Sequence, residues 1–149
     1  MLVEPMTLPP RDADRRDSAA RGPLPIVELK SGPAGVPAVY TVARVDDSGR
    51  VRDRSIVDAL GWEPGQTFTM TAEGGAVIVR RDPRGVFTLA QTSRLTIPGP
   101  LRTRFHLRAG DAVLLAAVLA HDTVLIYTMA LLHQTLAERH VMLLDGGRR

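Results

Sequence analysis

The chain contains two similar stretches, one after the other, and this internal repeat restricts the folds that it can adopt. The first covers residues 43–80 and the second covers residues 89–127. Each has a strand-like run, a polar turn, an Arg followed by an apolar residue, a short helix-like segment and two further strand-like runs. The period is about 45 residues, with one extra residue in the second stretch.

Two groups of residues align the stretches. Arg50-Val51 matches Arg94-Leu95, and the seven residues that begin at Leu60 match the seven that begin at Phe105. The second group includes a turn in which Gly precedes Gln or Asp. We therefore expect one supersecondary unit of strands and a short helix to be used twice.

Composition excludes several classes of protein. With 149 residues, 44% hydrophobic and 23% charged, the chain suits one ordinary domain or two very small ones. No apolar run approaches the length of about eighteen residues that a membrane span needs, and the first residues do not resemble a secretory signal peptide. The absence of Cys excludes disulfides and Cys-ligated zinc. We expect a cytoplasmic protein that does not enter membranes.

The basic residues are nearly all Arg, since Lys30 is the only Lys, and the net charge is +3. Residues 1–22 and 23–89 each sum to zero, whereas residues 90–128 carry four Arg against two Asp. The basic excess therefore lies mainly in the second stretch. Arg suits bidentate contacts with phosphate and guanine, although G+C-rich coding is an equally simple explanation of its frequency.

The pattern divides the chain into five segments. We expect a disordered arm at 1–24, a connector at 25–38, the first repeat at 39–82, the second repeat at 86–128, and a C-terminal helix and tail at 129–149. Single strands are expected at Ile26–Leu29, Val39–Val45, Arg50–Arg52 and Val86–Ala90. Two hairpins are expected, one of Thr67–Thr71 with Ala76–Arg80 and one of Asp111–Leu119 with Thr123–Thr128. Helices are expected at Ile56–Leu60, Leu101–Phe105 and Met129–His140. Ser55 is expected to cap the first helix, and the apolar run 113–119 is expected to be buried on both faces.

The order of these pieces, found twice, resembles the AbrB/MazE/SpoVT group of bacterial swapped-hairpin DNA-binding domains. The resemblance covers Tyr40–Tyr127 and depends on Ser48-Gly49-Arg50-Val51 and 59–65 in the first repeat, and on 93–98 and 101–105 in the second. It implies a mainly β fold in which two tandem repeats exchange hairpins to form a small β-barrel. Trp62 and Leu107, which follow the two short helices, are expected in its core.

Each repeat departs from the family pattern. The first has Arg52-Asp53-Arg54 in place of an apolar-Ile-Pro step, and Val57 and Asp58 where the family often has basic residues. The second has Ser93 in place of Gly and an extra residue near Gly99. The resemblance therefore assigns the main DNA contacts to the second repeat.

The function that the resemblance implies is a sequence-specific, DNA-binding transcriptional regulator associated with the nucleoid. Its partner would be double-stranded DNA, contacted by six arginines: Arg94, Arg102, Arg104, Arg50, Arg52 and Arg54. The alternative is that these residues form a solvated rim with weak ion pairs to nearby acidic residues, such as Asp46, Asp47, Asp53 and Asp58.

Two other functions remain open. The chain could be an antitoxin-like module that binds a toxin protein, or an assembly domain that does not bind DNA. The C-terminal helix could form a homo-oligomer through its apolar residues, or pack on its own barrel. The sequence predicts no enzyme, cofactor or metal site, because the His residues lack ligand spacing and Gly74-Gly75 suits a hairpin rather than a phosphate loop.

Overall fold

The structure is a computed structural model that describes residues 27–29 and 36–146. In this part of the chain the protein is mainly β, with one antiparallel sheet in the order β1-β2-β6-β7-β4-β3-β5. The strands are β1 (Val27–Leu29), β2 (Ala38–Arg44), β3 (Thr67–Glu73), β4 (Ala76–Arg81), β5 (Phe87–Thr88), β6 (Ala112–Val118) and β7 (Thr123–Thr128). The helices are α1 (Ser55–Leu60), α2 (Gly99–Arg104) and α3 (Met129–Gly146). The predictions of a mainly β chain and a C-terminal helix are confirmed, and the predicted N-terminal arm lies outside the described residues.

Strands from the two halves of the chain pair with each other. β2 pairs with β6, which sets Ala43 opposite Val113. β5 pairs with β3, which sets Phe87 opposite Phe68. The hairpins β3–β4 and β6–β7 meet where β4 pairs with β7. The first strand of each half therefore pairs with the hairpin of the other half.

The core lies on one face of this sheet, because alternate strand residues are apolar and point the same way. Its largest fully buried side chains are Ile56, Leu95, Ile97, Leu115, Ile126, Val45, Val51, Val57, Val77, Val79, Val113 and Val124. Trp62 is also buried and stacks on Phe68, with ring centroids 6.1 Å apart. Its indole N–H donates to the Asp122 carboxylate at 2.6 Å. Trp62 is thus a core residue as predicted, whereas Leu107 is only half-buried.

Strand β6 is less buried than predicted. Val113, Leu115 and Ala117 face the core, whereas Leu114 and Val118 on the opposite face are half-buried. The prediction of burial on both faces is wrong for these two residues and for Leu119, which follows the strand and is exposed. Ala116 is buried because Tyr40 and Leu125 are its neighbours on the adjacent strands.

Four local predictions need correction. The side chain of Asp53, rather than Ser55, accepts the N–H of Ile56 at the start of α1, and the Ser55 hydroxyl donates to the same carboxylate. Strand β5 is shorter than the predicted Val86–Ala90, and 50–52 forms no named strand. Helix α3 continues past His140 because the apolar run that follows contains no helix breaker. Within the described residues, no helix is both long and apolar enough to cross a membrane.

Candidate nucleic-acid interface

The turns that follow β2 and β5 carry Arg50 and Arg94, and their backbones hydrogen-bond to each other. The Val51 N–H donates to the Leu95 carbonyl and the Ile97 N–H donates to the Gly49 carbonyl, both at 2.8 Å. Residues 49–51 therefore run antiparallel to 95–97. We call this contact the turn crossing. Val51, Leu95 and Ile97 are buried, so the crossing is anchored in the core.

The backbone around the turn crossing has the same form in both halves. Left-handed φ angles occur at three pairs of aligned positions: Gly49 (83°) and Ser93 (59°), Gly61 (72°) and His106 (55°), and Gly65 (94°) and Gly110 (90°). Backbone hydrogen bonds also recur, because Gly65 donates to Leu89 at 2.9 Å and Gly110 donates to Val45 at 2.7 Å. The second half reaches this geometry with Ser and His, although non-glycine residues seldom adopt it.

Arg102 crosses from α2 to the turn of the first half. A Cβ added to Gly49 would lie 2.6 Å from Arg102 Nε and 2.6 Å from the Ile97 carbonyl oxygen. The lack of a side chain at Gly49 therefore lets the Arg102 side chain lie against this turn. Arg102 therefore packs against Gly49, the residue next to Arg50, although Arg102 and Arg50 belong to different halves of the sequence.

Two arginines of the second half have buried donors without a partner in the described part of the chain. The Nε atoms of Arg94 and Arg102 are inaccessible to solvent and make no hydrogen bond to any described residue, although both residues are half-buried overall. A buried donor without an acceptor is unfavourable, so such groups call for an explanation such as a bound water or anion. Arg104, at the end of α2, is exposed.

The arginines of the first half have acidic neighbours. Arg54 lies 3.3 Å from Asp58 in an exposed ion pair. The Arg50 N–H donates to the Asp46 carboxylate at 2.8 Å, and this hydrogen bond is the main cause that lowers the pKa of Asp46. The charges of Arg50 and Arg52 lower that pKa further. Arg52 and Arg54 are exposed in the segment that leads into α1, beyond the turn crossing.

The structure adds residues that sequence reasoning did not select. A pocket of about 380 Å³ beside α2 is lined by Gly99, Arg102, Thr103, His106, Leu107 and Arg108. We call it the α2 pocket. The alignment of His106 with Gly61 could have indicated it, because a His at a position that suits Gly needs an explanation. The guanidinium of Arg44 also joins the two halves, since it donates a hydrogen bond to the Gly110 carbonyl at 2.6 Å.

Comparison of the chain with protein-family models, with curated proteins and with solved structures found no match. Among the described residues, no group of three or more His, Cys, Asp or Glu could hold a metal ion.

Proposed function

We propose that the chain is a sequence-specific DNA-binding transcriptional regulator of the AbrB/SpoVT type that acts in the cytoplasm on the nucleoid. In this proposal, residues 39–82 and 86–128 are two copies of one unit. The copies exchange hairpins within one chain and form a small β-barrel. The observation that carries the proposal is the turn crossing, which gathers arginines of both copies at one place.

The strand pairing supports the two-copy arrangement. If the strands of one copy are exchanged with those of the other, the order β2-β6-β7-β4-β3-β5 reads the same in reverse. The register agrees, because the pair of Phe68 with Phe87 becomes the pair of Val113 with Ala43. Barrel closure is supported by the turn crossing, since the segments that follow the two outer strands, β2 and β5, hydrogen-bond to each other.

The chemistry of the arginines supports DNA as the partner. Guanidinium groups bind phosphate oxygens and guanine edges through paired hydrogen bonds. Arg102 is held against Gly49, so little side-chain entropy would be lost when it binds. Arg94 and Arg102 are half-buried, and their contacts with DNA would be made by the Nη groups rather than by the buried Nε atoms. Arg50, which is exposed, lies within the turn crossing and adds a third guanidinium.

The second copy would make the main contacts. Asp46 and Asp58, which lie beside the first-copy arginines, align with Ala90 and Thr103 in the second copy. Phosphates would therefore be repelled near α1 but not near α2.

The proposal is tested by titrating the full chain into fluorescent duplex DNA from the region upstream of its own gene, at several salt concentrations. Log affinity should fall linearly with log salt, by about 0.9 per phosphate contact. The variant Arg102→Ala/Arg104→Ala should bind less tightly with a shallower slope. Arg84→Ala/Arg139→Ala removes the same charge from exposed positions elsewhere and should keep the slope. Absence of binding at low salt, to this DNA and to pooled genomic DNA, would contradict the proposal.

One observation favours a protein partner as a second candidate. The last turns of α3 expose large apolar residues, with Val141, Met142, Leu143 and Leu144 each more than half exposed. Such a surface suits homo-oligomerisation through α3 or an antitoxin-like contact with a toxin protein. Light scattering of the pure chain separates these cases, because self-association needs no second protein. A chain that associates but has no salt-dependent affinity for DNA would be an assembly domain.

A further inference from the structure

The α2 pocket has the side-chain chemistry of an anion site. Its lining residues provide the guanidinium groups of Arg102 and Arg108, the imidazole of His106 and the hydroxyl of Thr103, and none of them is acidic. The nearby Asp111 carboxylate is engaged by the backbone N–H of Arg108 at 2.8 Å. Nearly every polar side chain at this pocket can therefore donate a hydrogen bond to an oxyanion.

Arg102 links the pocket to the turn crossing. The Cδ and Nε atoms of Arg102 lie against Gly49, while an Nη atom is 3.7 Å from the position of a Cβ on Gly99, which also lines the pocket. The guanidinium therefore reaches the pocket with its stem fixed by packing. Its buried Nε has no acceptor among the residues that the structure describes.

His106 occupies a backbone position that favours Gly. It follows the end of α2 with φ 55°, and its N–H donates to the Thr103 carbonyl at 3.2 Å. Gly61 makes the equivalent bond to Asp58 after α1. Because the same turn forms with Gly in the first half, the imidazole is not needed to close it.

The equivalent place in the first half has the opposite chemistry. The four polar or charged lining residues Arg102, Thr103, His106 and Arg108 align with Val57, Asp58, Gly61 and Glu63. The backbone hydrogen bonds are alike in both places, since Leu107 donates to Arg102 and Trp62 donates to Val57. The same backbone hydrogen bonds form with Asp58 and Glu63 as with Thr103 and Arg108, so the residue types at these positions of the second half point to a ligand rather than to folding.

We propose that the α2 pocket binds a phosphate group. Arg102 and Arg108 would be the charged donors, and Thr103 and His106 would complete the set. The inference rests on the proposed function where it takes the phosphate to be a phosphodiester of duplex DNA. A phosphate-bearing small molecule has the same chemistry and is distinguished by the experiment.

The experiment records amide and Arg Nε–H signals of the full chain by ¹H–¹⁵N NMR at constant ionic strength. Inorganic phosphate is added up to about 50 mM, which would saturate a site with a Kd in the millimolar range. The signals of Arg102, Thr103 and His106 should shift and saturate. A short duplex DNA is titrated in a second series, with phosphate as competitor.

Two variants test the pocket without disturbing the fold. His106→Gly places in the second half the residue that the first half uses at the same turn, and Arg108→Gln keeps a side chain of similar length. Each should weaken phosphate binding roughly fivefold, as expected for loss of one donor. Arg84→Gln, a surface control, should bind as the unchanged chain does. Circular dichroism establishes that all three are folded.

The outcomes separate the pocket from the proposed function. If phosphate and DNA shift the same signals and compete, the pocket takes a DNA phosphate. If phosphate binds in the α2 pocket and DNA does not, the pocket is supported as the site of a free phosphorylated ligand. The proposed DNA contact at α2 is then contradicted. If DNA shifts Arg50 and Arg94 but neither ligand affects the pocket, the pocket proposal is overturned while DNA binding stands. If neither ligand shifts any signal, both proposals are overturned.

Discussion

The turn-and-helix segments 46–66 and 90–111 have similar backbones but opposite charge. The first carries three Arg and five acidic residues, a net charge of −2, whereas the second carries four Arg and one Asp, a net charge of +3. Their left-handed positions and their turn hydrogen bonds correspond one by one. Because the same local fold forms with either charge, the basic character of the second segment is not a requirement of folding.

The burial of the two segments differs as well. The first contains Trp62, which is buried against Phe68 and hydrogen-bonded to Asp122, whereas the second has the half-buried Leu107 at the aligned position. The first segment therefore contributes more to the core and the second presents more basic surface.

The largest expected effect is on stability, at the point where the segments meet. Gly49→Ala should lower the free energy of unfolding by about 3 kcal/mol, because the new Cβ meets backbone as well as Arg102 and because φ is left-handed. Gly61→Ala is the control, since its φ is also left-handed but no atom lies within 4 Å. It should lose only about 1 kcal/mol. Urea denaturation measures both, and equal losses would contradict the close packing of Arg102.

A smaller effect is expected when the first segment is given the charges of the second. Asp58→Thr/Glu63→Arg introduces the residues aligned in the second segment and should raise DNA affinity roughly 3- to 10-fold at low salt, because repulsion is replaced by attraction. Glu73→Thr/Glu138→Arg makes the same change of charge at exposed positions elsewhere. A similar gain in this control would indicate that net charge alone controls binding.

The smallest effect concerns pH. The pKa of Asp46 is lowered from 3.8, chiefly by the hydrogen bond from the Arg50 backbone. A lowered carboxylate pKa stabilises the fold above the unfolded-state value, and this contribution is lost as pH falls through the folded-state value. Asp46→Asn should therefore make stability less dependent on pH below about 4. Arg50→Ala retains the backbone N–H and should keep most of the dependence, and a large loss in this variant would contradict the assigned cause.

Much of the fold could be predicted because its signals are local. Strand β7 has the predicted bounds Thr123–Thr128, and the two glycines 74 and 75 form the predicted hairpin turn. The capping of α1 could not be decided, since Asp53 and Ser55 can both accept a backbone N–H there. The residues 86–90 all suit a strand, but only two of them pair with β3. Strand β5 is therefore shorter than predicted.

The candidate site was only partly predictable. The arginines could be selected by charge and by family resemblance, but the packing of Arg102 on Gly49 joins residues far apart in sequence. The spacing of apolar residues along the sequence cannot predict a contact between residues so far apart. The α2 pocket depends on His106, whose alignment with Gly61 was visible in the sequence. This alignment becomes informative only when the left-handed backbone conformation of His106 is known, and the structure provides that conformation.

The most direct test compares the DNA affinity of two double variants in one salt series. Arg102→Ala/Arg104→Ala removes two arginines of the second copy, and Arg50→Ala/Arg54→Ala removes two of the first. We predict that the second-copy variant loses roughly 10- to 100-fold in affinity and about 1.8 in the salt slope, against less than about 5-fold in affinity for the first-copy variant. Equal losses, or a larger loss in the first-copy variant, would contradict the claim that the second copy carries the DNA-binding surface.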